Sequence, residues 1–504
     1  MKWQNFFAPG YRGNILALLA GMSLTLAFAP FNLSLLAILS PAVLLSTWLK
    51  VTPEKAFFRG WLYGLGLFGT GIYWIYISIH TYGEATVFLS TIITVGLISI
   101  VALFPAFTGY LLNNFFQKND LYKIVFAFPV IWVLLEWSRS WLFTGFPWLS
   151  IGYTQINSFL KGYAPILGIY GISYAVLVSA ALLVNIALHI KNKQKKMLYQ
   201  QTLVLCLIWF FGGCFSLIHW TKPIGSPVQV SLIQGNIPQQ LRWAPDQIVP
   251  TIKRYMELTS QHWDSKIIVW PEGAIPIPVQ TASTLLDKMD FMAKKRGTTL
   301  ITGIPIKVPD KPSYYNAIIT LGEGQGIYLK RRLVPFGEFT PDLGVLKKAL
   351  DSLHIPMSDF IPGHSKSEFI NVGDIKISAF ICYEIAFPEQ VNTPRTDINM
   401  LLTVSNDAWF GHSIAQAQHL QMAQMRSLEL GRPSLFVSND GITAIIDPHG
   451  KIQAAAPPHE TYVLTGDVQP YEGQTPWQDS RLDPLLVVMV FLLGYALHQR
   501  KKAK

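Results

Sequence analysis

Three short segments carry side chains that could together move an acyl group through a thiol. Cys382 follows the strand-like run 377–381 and precedes Tyr383 and Glu384. It stands outside the hydrophobic segments, whereas Cys206 and Cys214 both lie in the apolar run 202–219 and offer it no evident disulfide partner. A lone thiol after a strand suggests a nucleophile, although a buried structural cysteine would read the same way on its own. Glu272 closes a second strand-like run, 267–270, which stops at Pro271 and presents a carboxylate at its end. The third segment, Tyr-Leu-Lys-Arg-Arg at 328–332 and Leu-Val-Pro-Phe-Gly-Glu-Phe at 333–339, carries Lys330 and, eight positions on, Glu338. A thiol near neutral pH needs a base, and the oxyanion of a tetrahedral intermediate needs a fixed positive charge or N–H donors. Glu, Lys and Cys at three strand ends supply those parts, and any one of the motifs alone is weak.

The elements that must position these groups are of two kinds. The chain has 504 residues, 50% of them hydrophobic and 14% charged, with a mean hydropathy of +0.31. Those values are too apolar for an ordinary soluble enzyme and point to membrane spans. Eight apolar runs stand out, at 13–29, 33–49, 57–79, 86–112, 122–137, 164–190, 202–219 and 485–497. The last is short, and Pro129 and Glu136 interrupt the fifth. With the N-terminus inside, the cytoplasmic segments collect fifteen Lys and Arg, while the short outside loops hold only Arg139 and Lys161. That asymmetry favours eight spans, both termini in the cytoplasm and residues 220–483 outside it. Residues 220–483 hold 23 Lys and Arg against 26 Asp and Glu, so the net charge of +10 reports topology and not nucleic-acid binding. Ala27-Phe28-Ala29 could pass for a signal-peptidase site, but the alternation of loop charge requires the first span to remain.

Within 220–483, strand-like runs at 228–233, 267–270, 299–304, 317–321, 375–381, 400–404, 434–437, 443–446 and 463–468 alternate with helical stretches at 247–263, 281–296 and 413–430. Such interleaving indicates an α/β or mixed sheet with helices outside. The segment 336–363, punctuated by Pro341, Pro356 and Pro362, reads as a lid that dips toward a bilayer, or as an ordinary surface helix across 343–353.

The order Glu272, Lys330, Cys382 resembles the triad of the nitrilase superfamily, and within it the bacterial apolipoprotein N-acyltransferases. The closer resemblance rests on the string at 333–339, on Ile-Cys-Tyr-Glu-Ile at 381–385, on Val-Ser-Asn-Asp-Ala-Trp-Phe-Gly at 404–411 and on the apolar half that soluble nitrilases lack. It departs at Ser438-Asn439-Asp440-Gly441, where the second Asn is replaced by Asp440. The resemblance implies an α-helical membrane domain of about eight transmembrane helices plus an α/β nitrilase-type αββα sandwich. Residues 1–219 would form the seven-helix transmembrane domain, 220–483 the extracytoplasmic catalytic domain, and 484–504 the last transmembrane helix with a basic cytoplasmic tail.

The roles expected are Cys382 as nucleophile, Glu272 as general base, and Lys330 with the Tyr383 N–H as oxyanion stabilisers. Glu338 and Glu384 would be supporting carboxylates, or salt-bridge partners with no chemical part. Trp243 is expected over the acyl chain, or in the core. Gly145 and Trp148, from Gly-Phe-Pro-Trp at 145–148, are expected near the active site by resemblance, and an interfacial anchor is an equal account of Trp148. His412 and His419 read as structural, since no further His or Cys completes a metal set. Arg331 and Arg332 would meet lipid phosphates or form a solvated charge run.

The resemblance further implies a membrane phospholipid as acyl donor and a diacylglyceryl apolipoprotein as acceptor, a ping-pong thioester route, no metal or organic cofactor, no nucleic acid, a monomer, and a bacterial inner membrane. The residues by themselves indicate only acyl transfer at a membrane face. A membrane-tethered amidohydrolase would use the same triad and release free acid. A transporter would want ionisable groups inside its spans, which offer little beyond Glu136.

Overall fold

The computed structural model describes residues 10–118, 120–339, 360–364, 369–392 and 397–502. Of the lid expected over 336–363, residues 340–359 lie outside the described residues. Contacts divide the chain into two units, the first holding residues 1–76, 86–219 and 476–504, the second 77–85 and 220–475.

The first unit is helical. Its principal helices before the second unit are α1 (Tyr11–Thr25), α2 (Leu36–Trp48), α3 (Pro53–Gly71), α4 (Val87–Val101), α5 (Leu103–Phe115), α6 (Phe128–Ser138), α7 (Ala164–Lys191) and α8 (Lys195–Ser216). The C-terminal helix Asp483–Lys502 completes it. Every apolar run forms helix, but the count of eight spans is not reached on length. Among the described residues three stretches are long and apolar enough to cross a membrane, Val87–Phe115, Phe159–Lys191 and Lys195–Ser216. A fourth is added if Pro53–Gly71 and Trp74–Tyr82, bent by 52°, form one span. The first two fall short because their helices stop at Thr25 and Trp48, before the apolar sequence ends. The 13 residues of α2 rise about 20 Å, against a hydrocarbon core of about 30 Å.

Small residues let the helix backbones of this unit approach closely, as interfaces among apolar helices require. A Cβ on Gly21 of α1 would sit 2.0 Å from the Tyr63 carbonyl of α3, and one on Gly66 of α3 would sit 2.3 Å from the Leu18 carbonyl. Arg59 of α3 is buried, donating to Asn14 Oδ1 at 3.2 Å, to the Gly10 carbonyl at 3.2 Å and to the Thr47 carbonyl.

The second unit is a layered α/β structure. Its strands are β1 (Thr221–Pro223), β2 (Val228–Gln234), β3 (Ile267–Val269), β4 (Thr299–Lys307), β5 (Tyr314–Gly322), β6 (Gly324–Gln325), β7 (Ile327–Leu329), β8 (Phe369–Val372), β9 (Ile375–Ile381), β10 (Met400–Ser405), β11 (Ser434–Ser438), β12 (Ala444–Ile446), β13 (Ile452–Ala455), β14 (Tyr462–Val468) and β15 (Tyr471–Gly473). One sheet has the order β14-β2-β3-β4-β5-β7 and the other β13-β12-β11-β10-β9-β8-β6, with β1 and β15 as a separate pair. Each sheet is parallel at its centre, across β2-β3-β4 and β9-β10-β11, and antiparallel at its edges.

Alternation along the strands builds the layers. Val230, Leu232, Val269 and Ile301 of the first sheet share one core with Ile377, Ala379, Ile381, Leu402 and Val404 of the second. The opposite face of the first sheet, with Ile268, Trp270, Leu300 and Ile304, packs on Tyr255 of α9 (Ile248–Ser260) and on Ala282, Leu286 and Met289 of α10 (Val279–Arg296). Phe436, out of phase with Leu435 and Val437, meets His419 of α11 (Ala415–Leu430) on the far face of the second sheet. The layer order is helix, sheet, sheet, helix.

The close approach of α1 and α3 makes a stability prediction with an internal control. Alanine is favoured over glycine in a helix by about 1 kcal/mol, whereas a methyl forced against backbone costs about 1–3 kcal/mol. Gly66→Ala should lower the thermal unfolding midpoint in detergent. Gly69→Ala, where a Cβ meets nothing within 4 Å, should not lower it. Equal midpoints would contradict this packing.

Candidate active site

Parallel strands end together, so whatever follows them is gathered at one edge of the sandwich. Glu272 follows β3, Cys382 follows β9, and Asn406 and Asp407 follow β10, whose register pairs Val404 with Ile381. Lys330 follows β7, the edge strand of the sheet that holds β3, and its N–H donates to the Asn316 carbonyl of β5 at 2.8 Å.

Lys330 is 1% exposed and stands between two carboxylates. Its Nζ lies 2.8 Å from Glu338 Oε1 and 3.4 Å from Glu272 Oε1. Asn316 Nδ2 donates to the same two oxygens, at 2.7 Å to Glu272 and 3.0 Å to Glu338. The Asn406 N–H donates to Glu272 Oε2 at 3.0 Å, and the Val334 N–H to Glu338 Oε2 at 2.8 Å. Burial works against the Lys330 ammonium, but Glu338 and then Glu272 outweigh it and hold Lys330 above the ordinary lysine value. Burial likewise opposes the Glu272 carboxylate, and Lys330 and then Arg242 reverse the balance and hold it below the ordinary range. Arg242 is itself buried and donates to the Glu272 carbonyl at 2.6 Å.

Cys382 is partly buried and has φ of +51°, a left-handed backbone that costs a non-glycine residue about 1–2 kcal/mol. Burial pushes its thiol up, the Glu272 charge adds to this, and Lys330 pulls the other way. The resting pair is therefore thiol and carboxylate. Among the described residues, the partners of Glu384 are N–H and O–H groups and no side-chain cation. Its Oε1 accepts from the N–H groups of Arg331 at 2.8 Å and Arg332 at 3.1 Å and from Gln390 Nε2 at 2.5 Å. Its Oε2 accepts from the Ile381 N–H and the Tyr328 hydroxyl, both at 2.9 Å. Glu384 thus ties the turn after Lys330 to the strand end before Cys382.

Two family models match the chain, "Apolipoprotein N-acyltransferase N-terminal domain" over residues 20–182 and "Carbon-nitrogen hydrolase" over residues 229–476. A Coxiella burnetii protein described as apolipoprotein N-acyltransferase is 44% identical over 482 residues, which is 95% of this chain and 99% of that one. The chain belongs to the apolipoprotein N-acyltransferase family. An Azotobacter vinelandii protein of the same description is 41% identical over 506 residues, covering 99% of this chain and 97% of its own. The solved structure of Saccharomyces cerevisiae Nit3, a nitrilase-superfamily member, aligns with 49% of this chain and 92% of its own at 18% identity and a TM-score of 0.37.

For this member of the apolipoprotein N-acyltransferase family, the structure brings Glu272, Lys330 and Glu338 into direct contact, with Cys382, Tyr383 and Glu384 on the adjoining turn. Trp243 is half exposed, with the Arg242 guanidinium 5.4 Å from its ring, so it is not a core residue. Gly145 and Trp148 lie in the helical unit. Trp148 is buried against Trp74 at 5.0 Å, which removes the exposed interfacial anchor as an account of it. Gly145 has φ of +87°, and a Cβ there would meet the Ser140 carbonyl at 2.0 Å. Arg331 and Arg332 pack over Tyr328 and Phe387 and are not a plain solvated run.

Asn316, Arg242, the Asn406 N–H, Asp407 and His419 escaped sequence reasoning as parts of the site. Arg242 adjoins Trp243 and Asp407 lies in the 404–411 string, but Arg242 meets Glu272 thirty positions on and Asp407 meets His419 on a separate helix. Asp440, the departure from the family pattern, pairs with His459 at 2.6 Å.

The raised thiol gives a pH prediction. Alkylation of Cys382 by iodoacetamide, followed on its own peptide by mass spectrometry, should be slow at neutral pH. It should still be rising past pH ~9, where an ordinary cysteine with pKa ~8.5 is levelling off. A plateau below pH ~8 would mean that the thiolate already exists at rest.

Proposed function

We propose that this chain is a membrane-bound N-acyltransferase that carries a fatty acyl chain on Cys382 from a phospholipid to the α-amino group of an N-terminal diacylglyceryl-cysteine on an apolipoprotein. The observation that carries the reading is the buried contact of Lys330 with Glu272 and Glu338 beside Cys382, in a chain similar over its whole length to proteins described as apolipoprotein N-acyltransferases.

In the first half-reaction Glu272 takes the Cys382 proton as sulfur attacks the ester carbonyl, so thiolate never accumulates. The oxyanion that forms is stabilised by Lys330 and the Tyr383 N–H. The ester C–O bond then breaks, and Glu272 returns the proton to the departing lysolipid oxygen. In the second half-reaction the neutral amine attacks the thioester, Glu272 takes its proton, the C–S bond breaks, and sulfur recovers the proton. Lys330, held charged by two carboxylates, suits the electrostatic part and not that of a base. Glu338 and Glu384 support the geometry, and Trp243, Trp148 and Gly145 belong to substrate binding.

The lipid substrates explain the apolar half. Residues 1–219 and 484–504 would be the membrane domain of an inner-membrane protein with cytoplasmic termini, eight helices being satisfied if the shorter ones are completed by tilt, flanking residues or local bilayer thinning. Residues 220–483 would face the periplasm, and the enzyme would act as a monomer.

The test supplies purified protein with a phospholipid bearing a labelled acyl chain and a diacylglyceryl-cysteine peptide, either with a free α-amine or N-acetylated. Labelled amide should appear only on the free amine and only with Cys382 present, Cys382→Ala giving none. Release of free fatty acid with no amide would move the assignment to an amidohydrolase.

A further inference from the structure

The catalytic roles above leave a buried Asp–His pair beneath Cys382 without a function. His419 Nε2 lies 3.1 Å from the Cys382 carbonyl, and Nδ1 of the same ring lies 2.9 Å from Asp407 Oδ1. Both side chains are fully buried. A backbone carbonyl only accepts, and Asp407 Oδ1 already accepts from Ser405 Oγ at 2.6 Å. Nε2 is therefore the donor to the Cys382 carbonyl, with Nδ1 held against Asp407. The ring has little freedom, since Phe410 and Phe436 stand edge-on to it at 6.1 Å and 5.2 Å.

Three features give this contact a purpose. Cys382 has positive φ, a conformation that persists only where the surroundings hold it. The carbonyl that His419 grips belongs to that residue. In a planar trans peptide the C=O and the following N–H point in opposite directions, so fixing the Cys382 carbonyl on His419 fixes the Tyr383 N–H toward the other side. We infer that His419, oriented by Asp407, is a positioning residue for acylation, holding the Cys382 carbonyl so that the nucleophile's left-handed turn and the Tyr383 N–H are set before substrate arrives. This rests on the reading of Cys382 as acyl carrier. His419 touches no reacting atom, and its expected signature is in kcat and not in KM.

The test uses full-length protein in detergent and an activated ester, p-nitrophenyl octanoate, with the burst of p-nitrophenolate reporting acylation and peptide mass spectrometry locating the adduct. His419→Gln places an amide donor near the position of Nε2 and should acylate within about 10-fold of wild type. His419→Leu, which has no donor, should slow the burst by about 10², with KM changed less than about 2-fold and an unfolding midpoint close to that of His419→Gln. If His419→Leu does not fold, His419→Asn replaces it, since its shorter amide reaches the Asp407 side and not the Cys382 carbonyl. It should fall with Leu and not with Gln. A wild-type burst rate in His419→Leu, or equal losses in Gln and Asn at equal unfolding midpoints, overturns the inference. Absence of any adduct on Cys382 in the wild type removes the nucleophile itself, a separate failure visible before any variant is compared.

Discussion

One buried ammonium sets the terms for the catalytic unit. Lys330 is almost wholly removed from water, a position a single charge cannot hold without compensation. Glu272 and Glu338 supply it, and Asn316 bridges the same two oxygens so that neither carboxylate faces the interior unpaired. A cation with two anionic partners leaves the cluster one negative charge in excess, which Arg242 on the Glu272 carbonyl partly offsets. Burial, with the Glu272 charge added to it, keeps the Cys382 thiol protonated at rest. In the reaction proposed above, proton transfer to Glu272 would remove one of the charges opposing thiolate and so couple ionisation to attack.

The cluster exists because the two sheets finish their parallel strands at one edge. Glu272 arrives from β3 and Cys382 from β9, and several polar groups join the strand ends. Glu384 gathers five donors from the turns around Lys330 and Cys382. Asn439, after β11, accepts from the Ile237 N–H and the Tyr255 hydroxyl, both at 3.0 Å, and donates to Asn406 Oδ1 at 2.9 Å, linking the two halves of the sandwich. Such fully satisfied polar networks specify one arrangement of a core.

Legibility from sequence followed how local each signal was. The long apolar or alternating strands were visible, as were α9, α10 and α11. The short strands β6, β7, β8 and β13 were not, because two to four residues carry no period and are held by neighbours. Apolar runs located helices, but among the described residues three or four stretches reach spanning length, since hydropathy does not register where Thr25 ends a helix whose apolar sequence runs on. Glu272 and Cys382 stood out because each follows a strand-like run, and Lys330 because its segment carries a lysine eight positions before Glu338. Asn316 and His419 did not, because their meaning lies in partners 44 and 37 positions away. Glu384 looked like a possible salt-bridge residue, and only the fold shows its partners to be N–H and O–H groups.

The most direct test of the account follows the acyl adduct on Cys382 by intact-mass and peptide mass spectrometry after incubation with phospholipid, in wild type and in Lys330→Met. A hydroxylamine-labile fatty-acyl increment on Cys382, formed at least about 10²-fold more slowly without the Lys330 charge, is the predicted result. An adduct on another residue, or one formed at the wild-type rate in Lys330→Met, would contradict it.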